Sequence, residues 1–240
     1  MNPVELLSFP DEPALAHAAA EAWLEKIAAA HLHGTAHCVA LAGGRVARSF
    51  FSAVAEGSRA RGVSLSSVHF FWGDERCVPP HDAESNYAAA RQLLLQPLGI
   101  AAEKIHRLAG EKSSDEAVRE AAAELRRLVP AGANGVPVLD LVFLGLGEDG
   151  HVASLFPEEP EELNSAPELF RPVTAPKPPP HRITLGYPVL AAAREVWVLA
   201  SGRGKEEALE KSLATDGCTP LARLLRLRAH TRIFTDVSVS

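Results

Sequence analysis

Residues 138–157 read VLDLVFLGLGEDGHVASLFP, and this stretch predicts a β-strand that ends in a tight, charged turn. The apolar run from Leu139 to Leu144 has the length and composition of a buried strand. Directly after it, Asp149 and His151 supply a carboxylate and an imidazole between glycines. Ligands bind beyond the carboxyl ends of strands in open α/β sheets, so a functional site is expected at this turn.

The rest of the chain repeats the alternation of strand-length apolar runs with Ala- and Leu-rich helical stretches. This pattern is typical of βαβ units around a mostly parallel sheet, and it predicts the α/β class. The predicted strands are Val4 to Ser8, His37 to Leu41, Val68 to Trp72, Leu139 to Leu144, Arg182 to Leu185, Val196 to Ala200 and Arg232 to Thr235. The predicted helices are Pro13 to Ala30, Val46 to Arg61, Asn86 to Gln96, Asp115 to Val129 and Lys205 to Leu213. No linker or repeat interrupts the pattern, so a single domain over residues 1–240 is expected.

Local signals support two of the predicted helix starts. Ser85 can cap the helix that follows it, and Ser113 and Ser114 form a capping region before the next one. The Pro-rich segment 176–180 and the acidic segment 158–162 are expected to be surface connections within the domain.

Composition restricts the class of protein. The 240 residues are 47% hydrophobic and 22% charged, which is typical of a soluble globular protein. A formal net charge of −6 argues against a general surface for nucleic acid or for an anionic membrane. Cys38, Cys77 and Cys218 are odd in number and widely spaced, which indicates reduced thiols. With neither a secretory leader nor a run of about 18 apolar residues, the protein is expected to be cytoplasmic.

The glycines of the opening turn allow three interpretations. Gly145, Gly147 and Gly150 satisfy the G-x-G-x-x-G pattern of dinucleotide-binding proteins. That function needs a full helix after the third glycine, and Pro157 and Pro160 interrupt the sequence there. An inert glycine turn and an acid–histidine site are the other two interpretations.

Two further strand ends carry groups suited to anions or polar ligands. Gly43 and Gly44 lie between the second strand and a helix, where backbone N–H groups can cradle a phosphate, and Arg45 adds a positive charge. The third strand is followed by a charged segment that includes Asp74 and Arg76. A tight turn and a solvated loop are the structural alternatives for these two segments.

Two later segments each offer a cation to a phosphate. Arg182 follows the prolines, and Lys205 ends the sequence Gly202-Arg203-Gly204-Lys205 at the start of a helix. The second segment is not a P-loop, because Leu199 and Glu206 occupy the positions where glycine and Ser or Thr are required. A site for a nucleoside triphosphate is therefore not supported.

Other residues that carry chemistry elsewhere are given structural interpretations. His31, His33 and His37 lie between a helix and a strand without an accompanying cysteine or carboxylate pattern, so no metal is expected. The sequence has no G-x-S-x-G motif of a serine hydrolase. Cys77 is interpreted as a packed thiol and not as a nucleophile.

Five segments, taken in order, resemble those of the 6-phosphogluconolactonase family. They are Gly73-Asp74-Glu75-Arg76, Ser85-Asn86-Tyr87, the turn from Gly145 to Pro157, Pro180-His181-Arg182-Ile183-Thr184 and Gly204-Lys205. The resemblance spans nearly the whole chain. It implies a Rossmann-like three-layer α/β/α sandwich, shared with glucosamine-6-phosphate isomerase, that needs no cofactor. It also implies hydrolysis of 6-phosphoglucono-1,5-lactone to 6-phosphogluconate in the oxidative pentose phosphate pathway.

The same resemblance implies roles for the catalytic residues. His151 matches the general base that would activate water, a task that suits histidine because a free imidazole has a pKa of about 6.5. Asp149 would orient or polarise the site. Arg76 is the candidate for an anion contact, either with the oxyanion of the reacting carbonyl or with the phosphate.

Substrate binding is implied for a second set of residues. Arg182 and Lys205 match positions that hold the phosphate, with the Gly43-Gly44 backbone completing the cradle and Asp74 as a further contact. The family usually has S-G-G-S/T where this chain has Ala42-Gly43-Gly44-Arg45. Arg45 therefore either supplies a charged contact in place of the hydroxyl groups or points outward.

Two rival functions belong to other classes. Glucosamine-6-phosphate deamination would call for an F-N-E-P segment and a D-E-Y segment, where this chain has Leu155-Phe156-Pro157 and Asp74-Glu75-Arg76. A sugar-phosphate sensor would be expected to carry a DNA-binding extension, for which the strands near both ends leave no room. The expected partner is a small phosphorylated sugar lactone, with no nucleic acid or membrane, bound by a monomer or a small homo-oligomer.

Overall fold

The computed structural model describes residues 4–32 and 35–238; His33 and Val239 lie outside the described residues. Six parallel strands form the central sheet in the order β1-β9-β8-β5-β2-β3. Their bounds are β1 Val4–Ser8, β2 His37–Leu41, β3 Val68–Trp72, β5 Leu141–Gly145, β8 Glu195–Ala200 and β9 Thr231–Thr235. All six were predicted, with bounds within two residues of those observed.

Burial along the strands follows their position in the sheet. Every residue of β2 is buried, as expected for a central parallel strand covered on both faces. The edge strand β1 is half exposed, and Leu6 retains 39% of its accessible surface. Strand β3, at the other edge, is buried at four of its five residues.

Eight α-helices surround the sheet within the described residues. They are α1 Glu12–Leu32, α2 Arg45–Arg61, α3 Asn86–Ala90, α4 Ser114–Leu128, α5 Glu161–Asn164, α6 Tyr187–Ala192, α7 Glu206–Leu213 and α8 Pro220–Leu227. Helices α1 and α2 pack against each other, and α8 packs against α6 and α7. The layers confirm the predicted three-layer α/β/α sandwich. None of these helices is both long enough and apolar enough to cross a membrane.

An aromatic cluster fixes α1 and α2 on the sheet. The rings of Trp23 and Phe143 lie 5.2 Å apart edge to face, and Phe50 lies 4.5 Å from Phe143 and 5.7 Å from Trp23. All three side chains are fully buried, and each such burial stabilises the fold by roughly 1.5–3 kcal/mol. Because Phe143 belongs to β5, the cluster holds the strand that leads into the Gly145 to Pro157 turn.

A second, antiparallel sheet was not predicted. It has the order β4-β7-β6, with β4 at Asp74–Arg76, β6 at Phe170–Thr174 and β7 at His181–Leu185. It begins one residue after β3, where Gly73 donates to the carbonyl of Leu41 and accepts from Leu185 N–H. The small sheet therefore extends from the carboxyl edge of the large one.

Several local predictions need correction. The helix predicted over residues 86–96 is α only to Ala90 and continues as a π-helix over Arg91–Leu95. Lys205 is the residue before α7 and not its first residue. Ser85 accepts a hydrogen bond from Ala88 N–H as predicted, whereas Ser113 makes no capping hydrogen bond. The acidic segment 158–162 contains the start of a short helix, α5.

Candidate active site

A cavity of about 250 Å³ opens at the carboxyl ends of the central strands. Strands β2 and β5 are neighbours in the sheet, while β3 lies on one side of them and β8 on the other, so the strand order reverses between β2 and β5. A crevice at such a reversal is where open α/β sheets bind ligands. The cavity lining includes Gly43, Gly44, Arg45, Asp74, Arg76, His151, Arg182 and Lys205, which are all of the sequence-predicted site residues except Asp149.

Asp149 lies behind His151 instead of lining the cavity. Its Oδ1 accepts a hydrogen bond from His151 Nδ1 at 2.5 Å and from the backbone N–H of the same residue at 3.2 Å. Because a carboxylate only accepts, Nδ1 carries the proton and the lone pair is on Nε2. No described residue forms a hydrogen bond with Nε2. The turn thus presents an oriented imidazole whose Nε2 forms no hydrogen bond with any described residue.

The ionisation of Asp149 is set by this contact. Burial by itself would raise the pKa of Asp149, but the hydrogen bonds and the charge interaction with His151 outweigh it and lower the pKa to about 2. The carboxylate is therefore ionised throughout the neutral range. It stabilises the imidazolium that forms when His151 takes up a proton.

Two neighbours hold the imidazole from other directions. A Cβ on Gly147 would lie 2.0 Å from His151 Nδ1, so only glycine leaves space for the ring. The Phe156 ring lies 4.8 Å from the His151 ring and covers one side of it. The turn that contains these residues also holds Ala153 at φ 51°, a strained conformation for a residue with a side chain.

The Gly43-Gly44 loop brings the amino end of α2 to the cavity. Gly44 has φ 93°, and no side chain caps the first turn of the helix. Unpaired N–H groups at a helix amino end attract anions. A Cβ on Gly43 would lie 1.9 Å from Asn86 Oδ1, so the Asn86 amide packs directly on this loop.

Arg45 lies on the rim of the cavity. Its side chain is 72% exposed, and its Nε lies 3.4 Å from Glu12 Oε2. The guanidinium also covers Gly202, where a Cβ would lie 2.1 Å from its terminal nitrogen. The Arg45 side chain therefore extends along the rim from Glu12 to Gly202, in the loop that carries Lys205.

Arg76 and Arg182 are direct partners across the small sheet. The Arg182 side chain is buried, and within residues 4–32 and 35–238 its guanidinium donates only to the carbonyls of Pro179 and Lys177. Burial and the nearby charge of Arg76 lower the pKa of Arg182, and Asp74 partly offsets this effect. Arg76 Nε is buried without a hydrogen-bond partner among the described residues. Two positive side chains opposite each other on neighbouring strands repel. An anion bound between Arg76 and Arg182 would therefore be stabilised.

Lys205 reaches the cavity from the other side, after β8. No described residue forms a hydrogen bond or an ion pair with its ammonium group. Burial and the positive charge of Arg45 lower its pKa, while Glu148 and Asp236 raise it. Lys205 is thus a largely buried cation with unused hydrogen-bond donors.

The Asp74 carboxylate is held rigidly in the cavity wall. Asn86 Nδ2 donates to its Oδ1 at 3.2 Å, and Ser154 Oγ donates to its Oδ2 at 2.7 Å. Next to it, Glu75 is almost fully buried, and burial raises its pKa although four hydrogen-bond donors act in the opposite direction.

Sequence reasoning missed several residues of the cavity lining. Asn86, Lys177, Glu148 and Ser201 all line it. Asn86 lay within a recognised motif but was given no role. Lys177 lies in the Pro-rich segment that was interpreted only as a surface connection, and no local signal in that segment indicates a site.

The candidate metal ligands do not assemble among the described residues. No group of three or more His, Cys, Asp or Glu side chains is arranged to hold a metal ion in residues 4–32 and 35–238. His37 is buried and accepts a hydrogen bond from Trp23 Nε1 at 3.2 Å, which makes it a histidine of the core. His31 is exposed at the end of α1.

Comparisons with known proteins agree with this arrangement. The sequence model of the family described as "Glucosamine-6-phosphate isomerases/6-phosphogluconolactonase" matches residues 10–233. A 6-phosphogluconolactonase of Streptomyces coelicolor is 38% identical over 220 residues, which cover 89% of this chain and 84% of that one. A 6-phosphogluconolactonase of Mycobacterium tuberculosis is 35% identical over 218 residues, which cover 89% and 87%. The solved 6-phosphogluconolactonase of Trypanosoma brucei superimposes with a TM-score of 0.87 at 26% identity, over 98% of this chain and 97% of that one.

The match extends over most of the chain, and it includes the segments that line the cavity. The chain belongs to the glucosamine-6-phosphate isomerase/6-phosphogluconolactonase family.

Proposed function

We propose that this protein hydrolyses 6-phosphoglucono-1,5-lactone to 6-phosphogluconate, the second step of the oxidative pentose phosphate pathway, with His151 as the general base. The similarity to 6-phosphogluconolactonases supports the substrate. The observation that carries the mechanism is the Asp149–His151 pair, which leaves the lone pair of Nε2 unengaged at the cavity.

The chemistry follows from this pair. His151 Nε2 takes a proton from a water molecule as the water oxygen bonds to the lactone carbonyl carbon. The carbonyl oxygen becomes an oxyanion, and Asp149 stabilises the imidazolium. When the tetrahedral intermediate collapses, the bond to the ring oxygen breaks and the imidazolium returns its proton to that oxygen. The product is the open-chain acid, and the histidine is neutral again.

The cations of the cavity bind the anionic parts of the substrate. Arg182 is a buried cation and Lys205 a partly buried one, and neither has a carboxylate partner among the described residues. Together with the Gly43-Gly44 backbone they hold the phosphate. Arg76 lies beside Arg182 and acts on the same anion. A phosphate fixed in this way orients the lactone ring for attack.

The rival deaminase activity is less well supported by the surroundings of the histidine. That activity calls for an acidic residue in the segment after the turn. Here the aromatic ring of Phe156, which is 5% exposed, packs on the imidazole instead. An apolar ring can orient His151 but can neither donate nor accept a proton during ring opening.

The decisive experiment supplies freshly generated 6-phosphogluconolactone and, separately, glucosamine 6-phosphate to the purified protein, with spontaneous lactone hydrolysis subtracted. We expect turnover of the lactone alone, and loss of most of that turnover in His151→Ala while binding of 6-phosphogluconate survives. Turnover of glucosamine 6-phosphate alone would reverse the assignment. A fully active His151→Ala variant would remove the general base from the mechanism.

The setting of the activity is also proposed. We infer a single-domain, cytoplasmic enzyme that works without a metal or another cofactor, as a monomer or a small homo-oligomer. The three cysteines without a disulfide support a reducing compartment. Activity that disappears after dialysis against a chelator and returns with one metal would contradict the metal-free proposal.

A further inference from the structure

Glu75 lies just outside the cavity, and its carboxylate is saturated with hydrogen bonds. Oε1 accepts from the backbone N–H groups of Arg76 and Asn86, both at 2.8 Å. Oε2 accepts from Ser85 Oγ at 3.0 Å and from Tyr87 N–H at 2.8 Å. The residue is 2% exposed, so it contacts neither solvent nor substrate. One carboxylate thus ties the first turn of α3 to β4.

The first turn of α3 carries Asn86, whose side chain connects two parts of the cavity wall. Its Nδ2 donates to the backbone carbonyl of Asp74 at 2.9 Å and to the carboxylate of the same residue at 3.2 Å. On its other side the amide packs against Gly43, where even a Cβ would overlap it. A shift of Asn86 would therefore displace Asp74 and the Gly43-Gly44 loop together.

We propose that Glu75 is a positioning residue for the lactonase reaction. It acts through Asn86, which holds Asp74 and the Gly43-Gly44 loop in their substrate-binding positions. This inference rests on the proposed function. It differs from a purely structural role because three of the four groups that donate to Glu75 belong to residues 85–87, the turn that carries the Asn86 side chain in the cavity wall. A buried carboxylate that only stabilised the fold would have no special effect on substrate binding or turnover.

Glu75→Gln is the sharpest variant because both oxygens of the carboxylate accept hydrogen bonds. An amide of the same shape replaces one acceptor oxygen with an NH₂ group, which then faces two donors. Glu195→Gln is the control. This carboxylate is only partly buried, but like that of Glu75 it accepts hydrogen bonds on both oxygens, here from Lys26 and Trp197, and it lies at the amino end of β8, at the opposite edge of the sheet from the cavity.

The experiment measures kcat, KM and Tm for the wild type, Glu75→Gln, Asn86→Ala, the double variant and Glu195→Gln. We expect each cavity-side single variant to lower kcat/KM by about 10- to 100-fold at temperatures where it is folded. The kcat/KM of the double variant should be no more than about threefold below that of the less active single variant, because the two residues act in series. Glu195→Gln should lower Tm while kcat/KM stays within about twofold of the wild type.

Two results would overturn the proposal. One is a Glu75→Gln variant that loses Tm like Glu195→Gln but keeps the kcat/KM of the wild type. The other is a double variant whose loss equals the product of the two single losses, since the residues would then act independently. If Glu75→Gln does not fold, Ser85→Ala removes a single donor, and kcat/KM unchanged in that variant would also count against the proposal. Failure of the proposed function is seen separately, as absence of lactone turnover in the wild type.

Discussion

Asp149 is the one described residue that forms a hydrogen bond with the imidazole of His151, and it decides which nitrogen is basic. Asp149 fixes the proton on Nδ1, so the lone pair of Nε2 is presented to the cavity. An amide in place of the carboxylate would offer an NH₂ group in one of its two orientations and favour the wrong tautomer. The catalytic function of the histidine therefore depends on a residue that does not line the cavity itself.

Asp149→Asn is accordingly expected to lower kcat by about 10²- to 10⁴-fold with a much smaller effect on KM, because the base is lost while the phosphate contacts remain. Steady-state kinetics with 6-phosphogluconolactone test this. A variant whose KM rises while kcat is unchanged would place Asp149 in substrate binding instead.

The same pair gives a pH dependence of stability. The pKa of Asp149 falls from 3.8 to about 2 on folding, so the pair stabilises the folded state above pH 4, and this contribution is lost as the pH falls towards 2. The difference in unfolding free energy between the wild type and Asp149→Asn should therefore shrink between pH 5 and pH 2.5 in urea titrations. A constant difference over this range would show that the pair does not have the inferred ionisation.

Gly147 provides a steric test at the residue scale. A methyl group at this position would lie 2.0 Å from His151 Nδ1 and 2.5 Å from Asp149 Oδ1, so Gly147→Ala must displace the pair. We expect kcat to fall by about 10²-fold. Gly99→Ala is the control, because its left-handed backbone (φ 62°) costs stability while a Cβ there has no neighbour within 4 Å. Equal kcat values for the two variants would contradict the steric argument.

Lys205 and Arg203 are two cations on one loop, and only Lys205 lines the cavity. Lys205→Ala should raise KM for 6-phosphogluconolactone far more than for unphosphorylated gluconolactone, because the proposed contact between the ammonium group and the phosphate is lost. Arg203→Ala removes an exposed charge of the same sign and should leave the ratio of the two KM values unchanged. Equal losses on both substrates in Lys205→Ala would exclude the phosphate role.

At the scale of elements, strands of the large sheet could be predicted because each is a short run of mostly apolar residues. Of the small sheet, only β7 was predicted, as the strand Arg182 to Leu185. Its strand β4 is Asp-Glu-Arg, and β6 contains Pro172, so neither has a strand-like pattern. Both exist because β7 pairs with them, with β6 across the connection 175–180 and with β4 from a distant part of the chain. Arg76 and Arg182 could therefore be predicted individually as candidate site residues, but their side-by-side arrangement could not.

The carbonyl groups at the carboxyl end of helix α6 accept hydrogen bonds from one buried arginine, Arg228. The guanidinium of Arg228 donates to the carbonyls of Leu190, Ala191 and Ala193, and to that of His230. Carbonyls at the end of a helix lack intrahelical hydrogen-bond donors, and here the guanidinium of Arg228 is the donor. Burial lowers the pKa of Arg228 to about 10, so the residue is still charged at neutral pH.

Arg228→Met should therefore lower the free energy of unfolding by about 3 kcal/mol, or roughly 6–12 °C in Tm, because several buried carbonyls lose their donor. Differential scanning calorimetry measures this. Arg119→Met, at an exposed position on α4 where no described residue pairs with the arginine, should change Tm by about 2 °C or less. The kcat of Arg228→Met should match the wild type at 25 °C, since α6 supplies no residue to the cavity.

At the scale of the whole molecule, charge is distributed unevenly. The chain carries a formal net charge of −6, yet the cavity is lined by five cationic side chains and only two carboxylates. Composition could predict only that an anionic ligand would need a local group of positive side chains to bind it. The cations gather at one place because loops after β2, β5 and β8 and the small sheet all meet at the carboxyl edge of the large sheet.

Because positive charge is concentrated in the cavity, an anionic ligand should stabilise the folded state. A ligand that binds only the folded protein stabilises it by about 2.7 kcal/mol at 100 times its Kd. We expect 6-phosphogluconate to raise Tm in proportion to the logarithm of its concentration, and gluconate at the same concentrations to have little effect, because it lacks the phosphate. The shift should be much smaller in Lys205→Ala and unchanged in Arg203→Ala. A gluconate shift as large as that of 6-phosphogluconate would mean that the cations of the cavity do not select the phosphate.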